Sequence, residues 1–139
     1  MSLEENKALA SSSLSLITEK NFAAIDQIYA SSYVRHDPDS PQVTNLESYR
    51  KYLAGLCTVF PDLHFTVEDV IAEGDQAVCR FRIRGTHAQP WRGLPATGKQ
   101  VEITGINISR IAEGKIVEDW FNTDIFGLAM QLGAIPSPK

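Results

Sequence analysis

At 139 residues the chain has the length of one domain. A hydrophobic share of 43% beside 22% charged residues is that of a packed globular protein, which argues against disorder and against membrane insertion. The net charge is −4 without any basic cluster, so no nucleic-acid partner is expected.

Leu3 to Lys20 reads as a helix, with Leu9, Leu16 and Ile17 on one face and Glu4 and Glu5 in the first turn. Its polar, acidic start does not resemble a signal peptide, and no apolar run would span a bilayer. A cytoplasmic location and no membrane partner are therefore expected. Asn21 reads as the cap of a second helix, with Phe22, Ile25, Ile28 and Tyr29 along one side. Pro38 and Pro41 then hold the segment after Tyr33-Val34-Arg35-His36-Asp37 extended and irregular. Thr44 and Glu47 have capping-box spacing and open a third helix. That helix carries Tyr49, Tyr52, Leu53 and Leu56 on one face and stops at Pro61.

From Leu63 the pattern becomes alternation. Leu63 to Ala72, Ala77 to Thr86, Val101 to Ala112 and Ile116 to about Asp124 read as strands. Tight turns at Glu73-Gly74-Asp75 and Ala112-Glu113-Gly114-Lys115 join neighbouring pairs. In the second strand Ala77, Cys79, Phe81 and Ile83 share one side, and Arg80, Arg82 and Arg84 the other, a face that is solvated or covered by acidic residues of a partner strand. Cys57 and Cys79 read as buried small hydrophobes, and no Cys/His set has ligand spacing, so no metal is expected. A short helix with Leu128 and Leu132 follows, and Pro136 and Pro138 end the fold. Helices first and a strand meander after them predict an α+β domain spanning 1–139. Its N-terminal helices would pack on the concave face of a curved antiparallel sheet, with a pocket between the layers.

Gly93 to Lys99 matches the G-x-x-x-x-G-K spacing of a phosphate-binding loop. It lacks the following Ser or Thr, since Gln100 stands there, and it runs into a strand where the phosphate cradle needs a helix N-terminus. It reads as a hairpin loop.

The stretch Gly114 to Gly133 is the most informative. By the two-residue period Ile116, Glu118, Trp120, Asn122 and Asp124 share a side. An indole, an amide and carboxylates on one strand face suit the wall of a partly apolar cavity. Asp124 could cap the last helix, act as a general acid/base beside Trp120, or do both. His36 reads as a loop histidine or as a proton carrier at the pocket rim. His87 stands just before the loop that carries Trp91, which would anchor that loop or form a lid. Asn107, mid-strand, needs partners if buried. No nucleophile elbow and no cofactor fingerprint occurs, so no cofactor is expected.

The segments Tyr33-Val34-Arg35-His36-Asp37-Pro38, Phe60-Pro61-Asp62-Leu63, Gly85-Thr86-His87 and Gly93 to Lys99 resemble those of SnoaL-like polyketide cyclases. So do Glu113 to Glu118, Trp120 to Asp124 and Gln131-Leu132-Gly133. These proteins, also met as ester cyclase homologues, belong to the nuclear transport factor 2-like superfamily. The resemblance implies a cone-shaped α+β barrel and cofactor-independent intramolecular aldol chemistry with an aspartate as general acid/base. It implies that Trp120, Asp124, His36 and His87 surround the pocket. Asp124, His36 and His87 are the expected catalytic groups, with Trp120, Phe121, Asn107, Trp91, Tyr33 and Asn122 expected around a small hydrophobic carbonyl ligand. Many such proteins carry an acid directly after the tryptophan, where this chain has Phe121, and frequently a histidine where it has Asn107. Asp124 would then take the acid's part. The same fold also serves as a ligand-binding module without turnover, and a homodimer is expected.

Overall fold

The computed structural model describes residues 2–136, so Pro138 lies outside the described residues. Helix α1 (Leu3–Glu19) opens on a capping box between Ser2 and Glu5. A 3-10 turn (Phe22–Ala24) leads into α2 (Ile25–Ile28), a single turn. The second helix expected through Tyr29 ends there, and Tyr29 starts strand β1 (Tyr29–His36). The cause is tertiary. Tyr29 and Tyr33 are buried and pack edge-on with ring centroids 4.7 Å apart, and that burial outweighs one further helical turn. Helix α3 (Leu46–Val59) is capped by Asn45 and not by Thr44. Asn45 Oδ1 accepts from Ser48 N–H at 2.9 Å, and Ser48 Oγ accepts from Asn45 N–H at 3.0 Å, so Ser48 closes the box in place of Glu47.

Strands β2 (His64–Glu73), β3 (Gln76–Thr86), β4 (Gln100–Ala112) and β5 (Lys115–Thr123) form the expected meander, and α4 (Ile125–Gln131) follows. The sheet order is β1-β5-β4-β3-β2. Strand β1 runs parallel to β5, so the sheet is mixed, which corrects the expectation of a wholly antiparallel one. It is curved and open, and the α+β class holds. Glycine-rich Gly93 to Lys99 lies in the β3–β4 connection and runs into β4, as a hairpin loop should.

The facing of β5 is decided by a bulge. Ile111 pairs with Ile116, but Arg110 pairs with Glu118, so Val117 is an extra residue on β5. One inserted residue reverses every side chain beyond it. Ile116 points into the core, fully buried, and past the bulge Asp119 and Phe121 do so as well. Glu118, Trp120 and Asn122 lie on the outer face, where Trp120 pairs with His36 on one side and Ile108 on the other. The expectation that Trp120, Asn122 and Asp124 face inward is thus overturned by a single backbone irregularity. The β3 alternation falls as expected, with Phe81 and Cys79 buried and the arginines exposed. Arg80 pairs with Asp69 at 2.6 Å and Arg82 with Glu68 at 2.8 Å on that face.

Side chains help to fasten the helices to the sheet. Thr18 Oγ1 accepts from Phe65 N–H at 2.8 Å. The Gln131 amide accepts from Glu102 N–H at 2.9 Å and donates to its carbonyl at 2.8 Å, as a neighbouring strand would.

Gly105 faces inward beneath the ring of Phe81, which stacks between Phe65 and Phe121. A Cβ there would stand 2.5 Å from Phe81 Cε1. Gly105→Ala is expected to cost about 2 kcal/mol by overpacking, read as a lower urea midpoint at unchanged slope. A variant as stable as wild type would show that the ring stack yields freely.

Candidate functional site

Between the concave sheet face and the helices lies a cavity of about 360 Å³. Leu53, Leu56 and Phe60 wall it from the α3 side, and Phe65, Ile83, Val101, Ile103 and Phe121 from the sheet. The polar lining comes from adjoining chain segments: Arg35 at the end of β1, Asp37, Asp39 and Ser40 just after it, Thr123 at the end of β5, and Arg92 beside Trp91 in the β3–β4 loop. An apolar hollow with a few convergent polar groups is the usual form of a small-molecule site.

Arg35 is the centre of the polar end. It is only 4% exposed. Its guanidinium carbon lies 4.3 Å from the ring centroid of Tyr49 and 4.3 Å from that of Phe121, sandwiched between two aromatic faces. Nη1 donates to the Tyr33 hydroxyl at 3.1 Å. Asp119 and Asp37 each bring a carboxylate oxygen to 3.9 Å of a terminal nitrogen. Nε is buried and has no acceptor among the described residues.

Asp119 organises the layer beneath. Its Oδ2 accepts from Tyr33 at 2.6 Å, and its Oδ1 accepts from Ser109 at 2.5 Å and from Asn107 Nδ2 at 3.2 Å. Burial, and then the charge of Asp119, hold the Tyr33 phenol far above its ordinary pKa, so it stays protonated and donates.

Asp37 and Asp39 flank Pro38 at the cavity wall. Asp37 is engaged: its Oδ1 accepts from Asp39 N–H at 3.0 Å. Burial, followed by the charge of Asp37, raises the Asp39 carboxyl above the usual range, with Arg92 and a bond from Thr123 pulling the other way. Arg92 donates to the Asp39 carbonyl and lies over the Trp91 ring at 5.1 Å.

The residues expected from sequence divide sharply. Phe121 and Trp91 line the cavity. Tyr33 and Asn107 lie in the polar layer under Arg35. His87 is fully buried and holds the loop that carries Trp91: its Nδ1 accepts from Thr97 N–H at 3.2 Å, and its ring packs on Phe60. His36 and Trp120 stack on each other on the outer face at 5.3 Å, and His36 Nε2 bonds Glu118 at 2.7 Å. Asn122 is exposed beside them. Asp124 is exposed and caps α4, accepting from Gly127 N–H at 2.9 Å. The structure therefore does not bring Asp124, His36 and Trp120 to the cavity. Sequence reasoning missed Arg35, Asp37, Asp39, Tyr49 and Asp119. Tyr33, Arg35 and Asp37 stand two apart, and that alternation was the one sign of an inward strand face.

A family profile for SnoaL-like polyketide cyclases matches residues 8–132. The chain belongs to the SnoaL-like polyketide cyclase family. Solved structures agree with this. AclR from Streptomyces galilaeus, a candidate hydroxylase, superposes with a TM-score of 0.88 at 25% identity, over 99% of this chain and 87% of its own. TsrD from Streptomyces laurentii gives 0.86 at 28% identity, over 97% and 99%. IdmH from Streptomyces antibioticus, a candidate polyketide cyclase, gives 0.83 at 27%, over 92% and 98%. No curated protein matches the chain in sequence. In this SnoaL-like chain the strand position after Trp120 does face the cavity, but it holds Phe121 and not an acid.

The raised carboxyl of Asp39 has a consequence for stability. The folded state holds this proton more tightly than the unfolded one, so stability is fully present below the unfolded pKa and declines as pH rises through the folded value. Asp39→Asn keeps the neutral form throughout. Urea midpoints of the two proteins should converge near pH 3 and separate, with the variant ahead, by about pH 7. A wild type that outlasts the variant at neutral pH would mean that Arg92 outweighs burial.

Proposed function

We propose that the protein is a cofactor-independent acid/base catalyst that cyclises a small, largely apolar carbonyl compound by an intramolecular aldol step. One observation carries the reading. A buried guanidinium and a carboxyl with a raised pKa share the wall of one largely apolar cavity. The substrate carbonyl oxygen accepts from the Arg35 guanidinium. The Asp39 carboxylate removes a proton from the carbon next to that carbonyl, and the negative charge moves onto the oxygen facing Arg35. The enolate carbon then attacks a second carbonyl of the same molecule. A carbon–carbon bond forms, and the new alkoxide takes the proton back from Asp39. The aromatic sandwich fixes the guanidinium in advance of the reaction, which is how such stabilisation becomes effective. Phe121 and Trp91 shape the hollow, and Asp119 holds Arg35 and Tyr33 in place. Membership of the SnoaL-like family and likeness to IdmH support this reading.

A binding protein without turnover is the second reading. Phe121 favours it, because an apolar ring stands where the resemblance leads one to expect an acid.

Proton–deuterium exchange next to the carbonyl of aromatic ketones, followed by NMR in heavy water, separates the two and requires no identified product. Wild type is expected to accelerate exchange, Asp39→Asn to lose about 100-fold or more, and Asp124→Asn to retain it. Ketone that is retained but never exchanged would leave only the binding reading. Loss in Asp124→Asn alone would return the base to Asp124.

A further inference from the structure

The chain has nine glycines, and eight have a visible reason. Gly74, Gly93, Gly98, Gly114 and Gly133 lie at positive φ. Gly85, Gly105 and Gly127 sit where a Cβ would press on Phe60, Phe81 or Asp124. Gly55 has neither reason. It lies inside α3, where glycine weakens a helix relative to alanine, and a Cβ there would meet nothing within 4 Å.

Gly55 nevertheless lines the cavity, and it is exposed. A residue that does both stands at the mouth. Lys51, one turn earlier on the same helix face, is also exposed and also lines it. We propose that Gly55 forms the doorway of the cavity, kept free of a side chain so that a flat, neutral ring system can pass α3, and that it sets the breadth of ligand admitted. The proposal rests on the cavity being a ligand site. Its size supports the class: an engineered apolar cavity of about 150 Å³ takes one benzene, so 360 Å³ has room for two or three rings. The foregone helix stability is then the cost of an open path.

Two probes of different breadth test this, acetophenone and 2-acetylnaphthalene. Association is followed by stopped-flow quenching of Trp91, which lines the cavity, and affinity by calorimetry. Gly55→Ala should raise Tm by about 3 °C and slow the uptake of 2-acetylnaphthalene, though by less than a larger side chain does. Gly55→Leu should also melt no lower than wild type, yet take up 2-acetylnaphthalene at least about tenfold more slowly, with acetophenone affected less. Equal association rates in Gly55→Leu and wild type would overturn the doorway and leave the ligand site intact. A lowered Tm in Gly55→Leu would overturn it too, because a neighbour would then occupy the space. Wild type that takes up neither probe would remove the ligand site and the doorway together.

Discussion

Burying a guanidinium is the demand that the rest of this structure answers. Arg35 has given up nearly all of its water, and an unpaired buried charge costs several kcal/mol. Two carboxylates at 3.9 Å offset part of that, at a separation where the attraction is real but short of direct hydrogen bonding. Two aromatic faces at 4.3 Å supply more, roughly 2 kcal/mol each when desolvated. The partners come from different elements: Tyr33 from β1, Asp119 and Phe121 from β5, and Tyr49 from α3. The parallel pairing of β1 with β5 and the docking of α3 are therefore tied to one side chain. Asp119 in turn draws Ser109 and Asn107 of β4 into the same layer.

That layer gives a largely apolar hollow a buried polar end. Polar groups held this far from water are specific because each has few partners to choose from. Tyr33 is committed to Asp119, and Asp37 to the Asp39 amide and to Arg35. Beside them the Arg35 guanidinium and the Asp39 carboxyl line the hollow. Asp39 is held above its usual pKa by the same burial that makes the hollow hospitable to apolar carbon. Stability is surrendered where the chemistry is proposed, at Asp39 and in the glycine within α3, and recovered in the aromatic stacks.

Much of this was legible in the residues. The alternation of β3 predicts its faces because no bulge interrupts the β3–β4 pairing. Asp124 reads as a cap and is one. The glycine-rich loop runs into a strand and so cannot cradle phosphate. Two things were not legible. Tyr29 fits the helical period of Phe22, Ile25 and Ile28, and only pairing with β5, more than eighty residues later, makes it the start of a strand. Val117 looks like any other valine, yet as the extra residue of a bulge it turns Trp120 outward and Asp119 and Phe121 inward. Local pattern carries no record of a partner strand's register. The candidate site was therefore placed on the correct strand but on its wrong face, and its charged members on and just after β1 went unread.

The most direct test is a crystal structure of the protein with 2-acetylnaphthalene bound. The ring system should lie against Phe121 and Leu53, with its carbonyl oxygen about 3 Å from a nitrogen of the Arg35 guanidinium. A ligand seated on the outer face at Trp120 and His36, or one whose carbonyl points away from Arg35 into solvent, would contradict the account.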